Sequence, residues 1–202
     1  MSIERISLRL AKALCKATDR ESDLEYIRYA FEIIIGALLT TASLYGLASI
    51  LGVMKECLIV SITFAVFRAF MGGYHFSHFY QCFVVTVGGF NLFAWISRSL
   101  PAADGTLTFI SIAVLIGLIV WMAIKFVPVN AYYRANTEQQ RNRFRKITLA
   151  LVGIWSLLLL IAIHMDWTSV VIPLYFGLGL QAVTIPLELV KMRKEITNEH
   201  KI

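Results

Sequence analysis

Leu107-Thr108-Phe109-Ile110-Ser111-Ile112-Ala113-Val114-Leu115-Ile116-Gly117-Leu118-Ile119-Val120-Trp121-Met122-Ala123-Ile124-Lys125-Phe126-Val127 carries a single charged residue, Lys125. A helix of this length, rising about 1.5 Å per residue, crosses the roughly 30 Å of hydrocarbon in a bilayer. Working outward, further apolar runs extend from Ile33 to Val53, Phe79 to Ile96, Ile147 to Ile163 and Val170 to Leu187. A shorter run, Cys57 to Phe70, is interrupted by Arg68 and closed by Met71-Gly72-Gly73. It either crosses thinly or dips as a re-entrant element. The expected fold is an all-α integral membrane protein of about six transmembrane helices.

Composition agrees. Of 202 residues 58% are hydrophobic and 16% charged, and the mean hydropathy is +0.70. Soluble domains run at about half apolar and a quarter charged. The length allows one membrane-embedded domain over 1–202: residues 1–30 before the bundle, the bundle over 31–187, and a polar tail over 188–202. Residues 2–17 place Ile3, Ile6, Leu10, Ala13, Leu14 and Ala17 at helical spacing, with Arg5, Arg9, Lys12 and Lys16 around the other side. That pattern predicts an interfacial amphipathic helix. An acidic connection, Asp19, Glu21, Asp23 and Glu25, follows. No secretory signal pattern is present, so the mature chain is expected to keep its N-terminus.

The net charge of +6 and pI near 9.3 do not imply a nucleic-acid partner, because Lys and Arg gather beside the apolar runs. Six lie between Arg5 and Arg28, six from Lys125 to Lys146 and four after Glu188. The positive-inside rule puts these segments, and both termini, in the cytoplasm, with anionic lipid headgroups as partners. Lys55, the stretch from Arg98 to Asp104 and the turn His164–Thr168 fall outside. An even number of crossings is required, and the turn between the second and third spans is then cytoplasmic. Cys15, Cys57 and Cys82 do not form a disulfide framework, since Cys15 and Cys82 lie toward the reducing side.

The residues able to do covalent chemistry sit at that turn, in Arg68-Ala69-Phe70-Met71-Gly72-Gly73-Tyr74-His75-Phe76-Ser77-His78-Phe79-Tyr80-Gln81-Cys82. A thiol needs a neighbouring imidazole to act as a nucleophile near neutral pH. On an unbroken helix His75 and Cys82 would share a face yet lie about 10 Å apart along the axis, too far for contact. Catalysis by this pair requires the chain near His75 to leave the helix and fold back, which paired glycines permit. His78, four residues before Cys82, is the natural same-face neighbour on a continuous helix. Spacing alone slightly favours His78. Arg68 beside hydrocarbon is either a snorkelling interface residue or a functional charge.

His75, His78 and Cys82 also offer the ligands of an open zinc site. Against zinc, no HExxH pattern is present and no carboxylate lies between Glu56 and Asp104, so no metal or cofactor is expected. His164 with Asp166 reads as a solvated turn, and His200 as part of the tail. A non-enzymatic transporter or scaffold is the competing class, consistent with interrupted spans and with Pro173 and Pro186 in the last run.

The chain resembles the accessory gene regulator B family of membrane-embedded cysteine endopeptidases. The resemblance is carried by Arg68, Gly73, His75 and Cys82 at their spacings, by the central basic loop from Val127-Pro128-Val129-Asn130 to Arg145-Lys146, and by Gly179-Leu180-Gln181-Ala182-Val183-Thr184 in the last span. The loop departs from the family pattern in having one proline and Tyr132-Tyr133. The resemblance implies a quorum-sensing precursor peptide as substrate, cut near its cytosolic C-terminal part through a thioester and cyclised to a thiolactone or lactone. Cys82 is then the nucleophile and His75 the base, with Arg68 steering an acidic precursor tail or positioning the turn and Gly73 supporting it. It also implies a homodimer in a bacterial cell membrane. No third member of a triad stands out: Ser77, Gln81, Asn91 and a backbone carbonyl are equal candidates for orienting the imidazole.

Overall fold

The computed structural model describes residues 3–18, 21–74, 76, 78–100, 105–129 and 137–199. These form seven α-helices and no strand: α1 (Ile3–Thr18), α2 (Leu24–Ile50), α3 (Met54–Met71), α4 (Phe79–Ser99), α5 (Gly105–Lys125), α6 (Glu138–His164) and α7 (Thr168–Glu199). Among the described residues five helices are long and apolar enough to cross a membrane, lying within Glu21–Ile50, Phe79–Ser99, Thr106–Lys125, Glu138–His164 and Thr168–Lys194. An outer surface of exposed Ile34, Leu38, Val114, Leu118 and Leu157 suits lipid rather than water.

The remaining long helix, α3, is the uncertain second span, and its position explains its composition. Its 18 residues reach about 27 Å, and it packs against α2, α4, α6 and α7. Lys55 Nζ donates to Ser169 Oγ at 3.1 Å, Gln181 Nε2 donates to the Gly72 carbonyl at 2.8 Å, and Tyr74 N–H donates to the Thr184 carbonyl at 3.0 Å. Successive contacts advance in the same sense along both helices, so α3 and the first half of α7 run parallel and cover the same depth. Surrounded by protein, α3 tolerates Ser61 and Thr63 at buried positions. Thr63 Oγ1 accepts from Trp155 Nε1 of α6 at 3.3 Å.

The same reasoning orders the other helices. Gly36 lies against the Phe79 ring, Asn91 Nδ2 donates to the Leu44 carbonyl at 3.1 Å, and Arg98 reaches the Gly52 carbonyl, so α2 and α4 are parallel. The short turn Leu51–Val53 reverses the chain between α2 and α3. Phe144 meets Phe70 while Trp155 meets Thr63, so α6 opposes α3. The α3–α4 turn, the C-terminus of α5, the start of α6 and the latter half of α7 therefore share one end. Lys125, Arg141, Arg145 and Lys191 gather there, whereas Lys55 and Arg98 lie at the other. One apolar core joins Phe67 and Met71 of α3 to α5, α6 and α7. A second joins Leu44, Ala48, Cys57, Val87 and Ala94 across α2, α3 and α4.

Several sequence boundaries need correction. The acidic connection enters α2 at Leu24, where Arg28 bridges Glu25 at 2.8 Å and Glu32 at 2.9 Å along one helical face. The latter part of the basic loop is not loop. Thr137 caps α6 by accepting from Gln140 N–H at 3.3 Å, and Arg141 to Lys146 form its first turns, with Arg145 Nε donating to the Val127 carbonyl at 2.9 Å. The tail from 188 continues α7 as far as Glu199. In α1 the face turned to α2 carries Ser7, Ala11 and Cys15, not the large apolar stripe. Leu10 and Leu14 are left exposed, as an interfacial helix needs for lipid.

Candidate active site

Helix α3 stops where its backbone takes angles that L side chains resist. Gly72, its C-cap, has φ 74° and Gly73 has φ 132°. Both also lack room for a side chain. A Cβ on Gly72 would collide with the Val129 carbonyl, and one on Gly73 with Arg68 Nη1 and, at 2.5 Å, Thr184 Oγ1. The sequence places glycines where two neighbouring segments close on the chain.

Polar side chains then hold the turn from two sides. From α3, Arg68 donates through Nη1 to the Gly72 carbonyl at 3.4 Å and through Nη2 to the Tyr74 carbonyl. Of the two roles expected for Arg68, these are the contacts of a residue that positions the turn. From α7, Gln181 donates to the Gly72 carbonyl, while Thr184 Oγ1 donates to the Gln181 carbonyl at 2.8 Å. Beyond the turn, Val129 N–H donates to the Met71 carbonyl at 2.9 Å, tying the segment after α5 to the end of α3.

Gln181 is 1% exposed, and its contact with the turn was not evident from the sequence. The available signal was an amide within an apolar span, where hydrocarbon offers no partner. Gln181→Leu should destabilise the protein by about 1–3 kcal/mol through the loss of the bond to Gly72. The check is denaturant unfolding in mixed micelles, with Val183→Leu on the exposed side of α7 as the near-neutral control.

Cys82 lies at the end of the first turn of α4, partly exposed, with its N–H donating to the His78 carbonyl at 3.3 Å. Its Sγ is 3.9 Å from Thr86 Oγ1. His78 does not share a helix interior with Cys82. It is the N-cap, with extended backbone (φ −119°, ψ 136°), and its exposed ring stacks on Tyr80 with centroids 5.8 Å apart. His75 lies outside the described residues. Its neighbours are described: Tyr74 and Phe76 are non-helical and meet edge to face at 5.0 Å. The straight-helix separation therefore does not govern this pair, because the chain leaves α3 at Met71 and enters α4 at Phe79.

A cavity of about 910 Å³ opens between α2, α3 and α4 and reaches Pro128 and Val129. Arg68, Gly72 and Gly73 line one part of it and Thr86, the neighbour of Cys82, another. Its remaining wall mixes hydroxyls with aromatic rings: Tyr45 and Ser61 share a hydrogen bond at 3.0 Å, and Phe64 meets Phe90 at 5.1 Å. Such a lining offers both apolar and hydrogen-bonding surface. Among the described residues no three His, Cys, Asp or Glu side chains gather to hold a metal ion.

The family model for accessory gene regulator B matches residues 3–185. The match contains the turn, Cys82 and the residues of α7, Gln181 and Thr184, that hold the turn. No curated protein and no solved structure matches the chain.

Proposed function

The chain belongs to the accessory gene regulator B family, and from that premise we propose that it is a membrane-embedded cysteine endopeptidase that cleaves and cyclises a short signalling precursor. Membership supports a part in quorum-sensing peptide processing; we assign Cys82 as the nucleophile, His75 as the base and a thioester as the intermediate. The observation that carries it is the braced turn. Arg68, Gln181 and Thr184 fix Gly72–Tyr74, the chain immediately before His75, beside a cavity that also reaches the Cys82 neighbour Thr86.

His75 takes the Cys82 proton, and the thiolate attacks the scissile carbonyl of the bound precursor. The C–N bond breaks as the imidazolium returns the proton to the leaving amine, and the N-terminal part remains as a thioester on Cys82. A thiol or hydroxyl of that same peptide then attacks the thioester, forms the ring and releases the Cys82 thiol. Exchange of one thioester for another is nearly isoenergetic, so water must be kept from the acyl group. A site at the membrane edge, beside a cavity walled in part by Phe64, Phe70 and Phe90, serves that need.

In this reading the turn end of the bundle, with its basic residues, faces the cytoplasm of a bacterial cell, and the active form is a homodimer, which cross-linking in membranes reads directly. The activity test is incubation of the protein in lipid vesicles with a short amphipathic peptide bearing an internal Cys and an acidic tail. The expected products are the free C-terminal fragment and an N-terminal fragment one water lighter than its linear acid. An intact peptide under these conditions returns the chain to the transporter or scaffold class.

A further inference from the structure

We propose that the cavity between α2, α3 and α4 is an acyl pocket: it holds the residues on the N-terminal side of the scissile bond, and Tyr45 and Phe90 set which side chains are accepted there. This rests on the cysteine endopeptidase reading and gives the bound precursor a direction. Cys82, Thr86 and Phe90 recur at every fourth position of α4 and so form one stripe. Thr86 and Phe90 line the cavity, and the Thr86 hydroxyl stands 3.9 Å from the Cys82 Sγ. The helix face that carries the nucleophile therefore continues into the cavity wall.

A threonine inside a helix commonly bonds back to the carbonyl one turn before it. Thr40 does so, donating to the Gly36 carbonyl at 2.8 Å. Among the described residues Thr86 makes no such bond, and its hydroxyl meets the thiol instead. Phe90 lies about 12 Å from Cys82 along the axis, the length of about three or four extended residues. At that depth the Phe90 ring meets Phe64 at 5.1 Å, and Tyr45 shares its hydrogen bond with Ser61. Ser61 is in turn seven residues before Arg68 on α3, about 10 Å from the braced turn.

Only one half of the precursor needs such a place. Once the C–N bond breaks, the amine fragment leaves, whereas the acyl fragment stays on Cys82 until its own thiol or hydroxyl attacks. During that interval it must fold back on itself with water kept away. A recess of about 910 Å³ that begins at the neighbour of Cys82 Sγ has the size of a ligand pocket and meets both demands. Among the described residues its wall holds one charged side chain, Arg68, whose guanidinium donates to the Gly72 and Tyr74 carbonyls at the turn end. The far end offers rings and hydroxyls, which accept uncharged side chains and disfavour ionised ones.

The test uses the full chain in lipid vesicles and the amphipathic peptide with an internal Cys and an acidic tail, its scissile bond read from the product masses. Leu and Trp are compared as the third residue before that bond, and separately as the third residue after it. Tyr45→Leu and Phe90→Leu each enlarge the far end of the cavity. Each should raise the Trp-to-Leu ratio of kcat/KM before the bond by roughly tenfold or more and leave the ratio after the bond unchanged. Each ratio is taken within one variant, so partial loss of folded protein cancels. In wild-type protein, photo-leucine at the same place before the bond should cross-link to α2 or α3 at the cavity wall, and photo-leucine after the bond should not. Unchanged ratios in both variants, or cross-links to the cavity only from the residue after the bond, overturn the pocket alone when wild-type Cys82 still becomes acylated. Wild-type protein that forms no adduct at Cys82 overturns the endopeptidase reading beneath it as well.

Discussion

Gly73→Ala should cut peptide cleavage by roughly a hundredfold or more while the helical bundle remains assembled. The methyl group meets two independent obstacles. At φ 132° an L residue is strained by about 1–3 kcal/mol, and its Cβ occupies space already held by Arg68 Nη1 and Thr184 Oγ1. Neither neighbour can withdraw freely, because Arg68 donates to the Tyr74 carbonyl and Thr184 accepts from the Tyr74 N–H. Relief therefore moves the chain that leads into His75. Both apolar cores are built from other residues, so secondary structure and detergent resistance should persist. Gly46→Ala is the control, since nothing lies within 4 Å of a Cβ at that position. Wild-type cleavage by folded Gly73→Ala would show that the turn does not position the chemistry.

His75→Ala should lose roughly 10²- to 10⁴-fold in single-turnover cleavage, the usual contribution of a positioned base, while His78→Ala stays within a few fold. The second half of this expectation comes from the structure. Sequence spacing favoured His78 slightly, as the i−4 neighbour of Cys82, but that advantage requires a helix running through both. The helix begins at Phe79, His78 caps it, and the His78 ring turns to Tyr80. Normal cleavage by His75→Ala together with failure of His78→Ala would reverse the assignment. Alkylation rates of the three cysteines do not decide the matter, because Cys15 and Cys57 are buried and Cys82 is partly exposed. Access alone would make Cys82 the fastest.

The spans were legible because length and hydropathy suffice to find a helix that must satisfy its own backbone in lipid. The faces were not. In α1, Leu10 and Leu14 marked the lipid-facing stripe of an interfacial helix, but nothing marked the protein-facing side, which is the small one, Ser7, Ala11 and Cys15. Lipid accepts large apolar side chains as readily as a core does, so hydrophobicity no longer reports burial. For the same reason α3 could not be recognised as a central helix. Its pairing with α7 depends on Gly177, where a Cβ would stand 2.7 Å from Thr63 Cβ, a fit seen only once both helices are in place. At the candidate site, Arg68, Gly73 and Cys82 were readable from residue type and spacing. Gln181 and Thr184 lie more than a hundred residues further along the chain and meet the turn only through the fold.

The most direct measurement is the mass of Cys82 after the protein, in lipid, is mixed with precursor and quenched in acid. A thioester nucleophile predicts an adduct equal to the N-terminal fragment, located on the peptide containing Cys82 and absent from Cys82→Ala, which also fails to cleave. Cleavage that continues in Cys82→Ala, or an acyl group found on Cys15 or Cys57 instead, would contradict the account.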